Sequence, residues 1–139
     1  MISRVLVPMD DSELAERALR YALSVHEDAE ITVLHVVGGP SSMLSGATAL
    51  ALEDDVEEVA KEQANAVFER AREIAADYDA TIDTIIEMGS PASSIVGQAE
   101  EFDAVVIGSH GSSLADRLIV GNVTQKVFNH CPVPVTIIR

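Results

Sequence analysis

Four residues, Gly108, Ser109, His110 and Gly111, are followed after a gap of nine by Gly121, Asn122, Val123 and Thr124. Glycine lets another group approach the bare backbone. The N–H groups that open a helix carry partial positive charge, so a glycine stretch between a strand and a helix suits an anion, phosphate above all. A plainer alternative stands beside this one: Gly108 and Gly111 form a tight turn, and Gly121 only starts a helix. The spacing is not G-x-x-x-x-G-K-[ST], because no lysine follows Gly121, and it is not G-x-G-x-x-G. A second group, Pro8, Met9, Asp10, Asp11 and Ser12, follows the first apolar run. A carboxylate there can accept from a ribose hydroxyl or a base amine, but it repels phosphate unless Mg²⁺ intervenes.

Other candidates carry less. His110 can donate to a phosphate or sit exposed, and Arg117 can reach a phosphate or make a surface ion pair. His35, between Leu34 and Val36, reads as a core histidine and His26 as a surface one. The four histidines form no triad and have no metal-ligand spacing. Cys131 is the single cysteine, which excludes an internal disulfide and a multi-cysteine zinc site, and its place before Pro132 suits a small buried residue. The acidic run Glu53, Asp54, Asp55, Glu57 and Glu58 falls where a helix begins, so it reads as a solvated face favoured by the dipole.

The elements that must hold these groups alternate. Residues 2–8 read as a buried strand and 13–25 as a helix capped by Ser12 or Asp11, with Leu14, Ala18, Tyr21, Ala22 and Val25 inward. Residues 31–37 form a second strand and 38–47 a long loop. A helix over 50–78 places Val56, Val59, Ala60, Val67, Ala71, Ile74 and Tyr78 on its inner face. Residues 81–88 mix Ile82, Thr84 and Ile86 with Asp83 and Glu87, as an edge strand does. Ser90 and Pro91 cap and open a short helix to 101, with Ile95, Val96 and Ala99 inward. A strand over 104–107, a helix over 120–130 and a strand over 135–138 complete the chain.

Five strands and four helices in alternation predict an α/β fold, one domain over residues 1–139 in which a doubly wound parallel sheet is covered on both faces. Ligands in such folds sit beyond the carboxyl ends of the strands, where strand order reverses. With strand one central and strand four beside it, Pro8 to Ser12 would meet Gly108 to Gly111.

Net charge is −14, from 23 acidic against 9 basic residues. Such a surface repels nucleic acid and anionic membrane, and it suits a halophilic protein that stays hydrated in concentrated salt. No apolar run approaches the ~20 residues of a membrane span, and the first residues lead straight into a strand, so a cytoplasmic location is expected. The last strand is apolar at a sheet edge until Arg139, which invites pairing of Val135 to Ile138 with a second copy as a homodimer.

The chain resembles the universal stress protein family, nucleotide-binding type. The likeness rests on Val7 to Ser12 after strand one, Leu34 to Val37 in strand two, Gly89 to Ala92, the glycine stretch, and Cys131 to Val135. It implies strand order 3-2-1-4-5 and dimers through the last strand. It also implies an adenine nucleotide, ATP or AMP, with Mg²⁺ held through phosphates and not by protein ligands directly. Asp10 would hold the adenosine end and the Val36 backbone would contact adenine. Gly108, Gly111, and Gly121 through Val123 would cradle ribose and phosphates. One departure is Asn122, where nucleotide binders have serine or threonine; its amide can donate to phosphate, asparagine is a sound helix cap, and Thr124 offers a substitute hydroxyl.

The implied function is a nucleotide-dependent regulatory switch in stress response. It would hydrolyse ATP slowly at most, since the glycine stretch has no lysine and no base stands ready for water. The alternative is a nucleotide-free dimeric module that binds client proteins. An ATP-pyrophosphatase needs a serine- and glycine-rich loop directly after strand one, which Met9 to Glu13 does not supply. A phosphoacceptor receiver domain needs an aspartate after strand three and a later lysine, and Met88-Gly89 and Ile107-Gly108 supply neither.

Overall fold

The computed structural model describes residues 1–37, 53–110 and 121–139. Among them are nine elements: β1 (Arg4–Pro8), α1 (Glu13–Val25), β2 (Glu30–Val37), α2 (Glu53–Ala76), β3 (Ile82–Met88), α3 (Pro91–Ala99), β4 (Ala104–Gly108), α4 (Asn122–His130) and β5 (Val135–Ile138). All pairings are parallel, and the order is β3-β2-β1-β4-β5. This is the α/β architecture and the strand order expected. β1 and β4 are apolar on both faces because both lie inside the sheet, and every residue of β4 is buried.

Side chains alternate across the strands and feed two cores. Val5 and Val7 of β1, with Ile31 and Val33 of β2, pack under α1 and α2. Leu6, Leu34, Val105 and Ile107 pack on the opposite face with Ile95 and Ala99 of α3 and Val127 of α4.

Several expected inner positions differ. Tyr21, Val25, Val59 and Tyr78 are exposed. The buried stripe of α1 is Leu14, Ala15, Ala18, Leu19, Ala22 and Leu23, turned toward both the sheet and α2. On α2, Ala64, Val67, Phe68, Ala71, Ile74 and Ala75 are buried and Ala60 packs at the margin. β3 is the sheet edge, as its mixed pattern predicts, and Ile86 and Met88 are exposed there. Cys131 is half-buried against the second core. α3 stops at Ala99, short of 101. The side chain of Val56 and the acidic run up to Glu57, the expected start of α2 at 50, the loop over 38–47 and Val120 lie outside the described residues.

α2 ends two residues early for a local reason. Asp79 takes φ +54°, the Ala80 N–H reaches back to the Ala75 carbonyl at 3.0 Å, and the Asp79 N–H reaches the Ala76 carbonyl at 3.1 Å. This left-handed cap satisfies the last carbonyls and turns the chain into β3, leaving Tyr78 outside the helix.

At the amino end of the sheet, Asp103 anchors β1 to β4. Its Oδ2 accepts from the Ser3 and Arg4 N–H groups at 2.8 and 3.0 Å, while its own N–H donates to the Arg4 carbonyl at 2.9 Å. The Arg4 guanidinium lies 4.7 Å over the Phe102 ring. The Ser3 N–H first, and then that of Arg4, holds the Asp103 carboxyl below its ordinary value of 3.8. A lowered folded-state pKa stabilises above the unfolded value, and that contribution disappears as pH falls through the folded value. Asp103→Asn should therefore lower urea stability at neutral pH, and its gap from the wild type should close as pH drops below 3.8; a gap that does not change with pH would contradict the assignment.

Candidate functional site

β1 sits between β2 and β4, and the chain leaves β1 and β4 toward opposite faces, α1 to one and α4 to the other. Their carboxyl ends part there and open a cavity of about 190 Å³. Pro8, Met9, Asp10 and Ser12 border it from β1 and its turn, Leu34, His35 and Val36 from β2, and Ile107, Gly108 and His110 from β4. Pro91 and Ile95 of α3 and Val123 and Thr124 of α4 close it. The lining is mostly apolar with a few polar groups, as in sites for small organic ligands. Of the residues singled out from the sequence, Ser109, Gly121 and Asn122 are not part of the lining, and Gly111 and Arg117 lie outside the described residues.

Each wall has a physical cause. The Met9 N–H donates to the Leu34 carbonyl at 2.8 Å, the last rung between β1 and β2. Peptide groups along a strand alternate between its two neighbours. Leu34 faces β1, so the N–H and C=O of Val36 also point to that side, past the place where β1 has ended. Asp10 accepts the Ser12 N–H on Oδ1 at 2.9 Å, and the Ser12 hydroxyl accepts the Ala15 N–H at 3.1 Å, which caps α1. Of the two caps expected for α1, Ser12 is the one used.

Gly108 is needed for packing. A Cβ on it would lie 3.1 Å from the Leu14 Cβ and 3.2 Å from the Leu14 carbonyl carbon, so the first turn of α1 lies directly on the end of β4. The Thr124 hydroxyl donates to the Gly108 carbonyl at 2.8 Å, so its proton serves α4 docking and is not free for a phosphate. Ser109 is a joint. Its N–H donates to the Ile138 carbonyl at 2.7 Å, its carbonyl accepts the Gly121 N–H at 2.7 Å, and its hydroxyl meets His110 Nδ1 at 3.2 Å. A Cβ on Gly121 would lie 3.3 Å from the His110 Cα, so this glycine lets α4 start against the end of β4.

α3 and α4 begin without a side-chain cap, unlike α1. Ser90 precedes α3 but makes no capping hydrogen bond, and the cap position of α4 is Gly121, so Asn122 is its first helical residue and caps nothing. The helical ladder of α4 starts with the Gln125 N–H on the Gly121 carbonyl. The N–H groups of Asn122, Val123 and Thr124 thus precede any acceptor within the helix. With the dipole they give this corner of the cavity positive potential.

The residue that sequence reasoning misplaced is His35. It lines the cavity, half-buried, with its Nδ1 2.8 Å from the Met9 carbonyl and its ring edge-on to Phe68 at 6.4 Å between centroids. Its place one residue from the end of the β1–β2 ladder was the available signal. Among the described residues no group of three His, Cys, Asp or Glu could hold a metal ion, and no helix is long and apolar enough to cross a membrane.

The family model described as Universal stress protein family matches residues 1–139. The chain belongs to the universal stress protein family. It is 30% identical to the universal stress protein YxiE of Bacillus subtilis, each chain covered in full. Its fold superposes on the universal stress protein UspA from Lactobacillus plantarum with a TM-score of 0.82 at 26% identity, covering 99% of this chain and 98% of that one. A universal stress protein in complex with cAMP gives a TM-score of 0.70 at 27% identity, covering 99% of this chain and 97% of that one.

In this universal stress protein, Gly108→Ala should cost about 1–3 kcal/mol in urea unfolding, because the added methyl meets Leu14 main chain that has little room to move; an unchanged midpoint would show that α1 yields freely.

Proposed function

We propose that the cavity binds an adenine nucleotide, ATP or AMP, and that the protein acts as a nucleotide-dependent regulatory switch in stress response. The observation that carries this reading is the convergence of three recognition elements on one cavity. They are the outward peptide edge of Val36, the carboxylate of Asp10 and the uncapped first turn of α4. A peptide N–H and C=O pair matches the acceptor and donor on the edge of adenine. A carboxylate suits ribose hydroxyls, and free helical N–H groups suit phosphate. The relative in complex with cAMP supports the same ligand class.

With few acidic groups at the cavity, Mg²⁺ would enter bound to the phosphates, where it would screen them from Asp10. The alternative of a nucleotide-free module rested on Asn122; as the first helical residue of α4, exposed and outside the lining, Asn122 leaves the cavity as it is.

A homodimer through β5 is part of the proposal. Among the described residues β5 pairs with β4 alone and is apolar but half-buried, while Phe128 of neighbouring α4 is 62% exposed. Residues 121–139 contain no Asp or Glu, although the chain has 23 of them. Two copies carrying −14 each can therefore approach through this segment with least repulsion.

Calorimetry of AMP and ATP with Mg²⁺ in molar salt should show binding, which Asp10→Ala should weaken by about tenfold, the scale of one hydrogen bond to a charged group; no heat from folded wild type would reject the nucleotide reading. Light scattering in the same buffer should give twice the chain mass, and a monomer would reject pairing through β5.

A further inference from the structure

We propose that His35 is the positioning residue that keeps the Val36 peptide edge open to the cavity; this rests on the nucleotide reading above. In a parallel pair, a residue that gives its N–H to one residue of the neighbouring strand receives on its C=O the N–H two residues further along. Met9 gives its N–H to Leu34. Its carbonyl should then receive the N–H of Val36 and extend the sheet by one rung.

That rung is absent among the described residues, and the Met9 carbonyl takes the His35 ring instead, 2.8 Å from Nδ1. A carbonyl oxygen only accepts, so Nδ1 carries the proton. The imidazole occupies the acceptor that would have closed the edge. Phe68 of α2, edge-on to the ring, holds it in place.

The same bond steadies the turn that carries the carboxylate. Asp10 follows Met9 directly, and its other anchor is the Ser12 N–H. From Met9 onward the turn is joined to β2 by the Met9 N–H and by the His35 ring. His35 thereby sets two of the recognition elements, neither of which it needs to touch in the ligand.

The test exploits the difference between the two ring nitrogens. In His35→Asn the amide N–H falls where Nδ1–H was; in His35→Gln it falls where Nε2 was. Titrated with AMP by calorimetry in molar salt, the Asn variant should stay within about twofold of wild type, whereas the Gln and Phe variants should bind about tenfold more weakly, the scale of one lost hydrogen bond. Circular dichroism should show all three folded. Nitrogen NMR of the free wild type should show the neutral ring protonated on Nδ1, a readout that needs neither a variant nor a ligand.

A ring protonated on Nε2, a Gln variant as good as the Asn variant, or a Phe variant with wild-type affinity would each overturn the assignment of His35. In the last two cases the nucleotide reading would stand. Wild type that binds no AMP or ATP would remove that reading and this role with it, even with the proton on Nδ1.

Discussion

The carboxyl end of the sheet depends on one close approach, the first turn of α1 against Gly108 at the end of β4. With no side chain between them, β1, its turn and β4 can end at the same level, and α1 can leave over one face while α4 begins beyond the other. Thr124 fastens α4 to the Gly108 carbonyl, and Ser109 ties β4 to β5 and to Gly121. The cavity is the space these attachments leave, so its shape is fixed by packing.

Glycine in this stretch therefore has a different purpose from the one its spacing first suggests. At Gly108 and Gly121 the missing Cβ makes room for protein, Leu14 in one case and His110 in the other. What remains for an anion is main chain, the N–H groups of α4 that precede its ladder.

The fold was legible because its signals are periodic and additive: apolar runs of strand length, glycine and proline at the breaks, and strict alternation of strand and helix. Inner faces were less so. Tyr21 and Val25 of α1 share a spacing with Leu14, yet the helix turns toward Ala15, Leu19 and Leu23 because it must cover α2 as well as the sheet. The end of α2 depends on a single left-handed residue, Asp79, whose type allows that conformation without demanding it. At the site, Asp10 and Val36 could be placed from strand ends and resemblance. The role of His35 could not, because it consists of a side chain standing in for a backbone group across two strands, which no spacing within one segment records.

Base recognition by a peptide edge, as proposed for this cavity, would have an evolutionary corollary. Every residue except proline offers the same N–H and C=O, so position 36 can change its side chain widely while presenting an unchanged pair of groups to its ligand. What such a pocket must conserve is a path of the chain and the point at which a neighbouring strand stops. Sequences that share less than a third of their residues can keep both, so a shared backbone path can outlast most side-chain likeness in a lining.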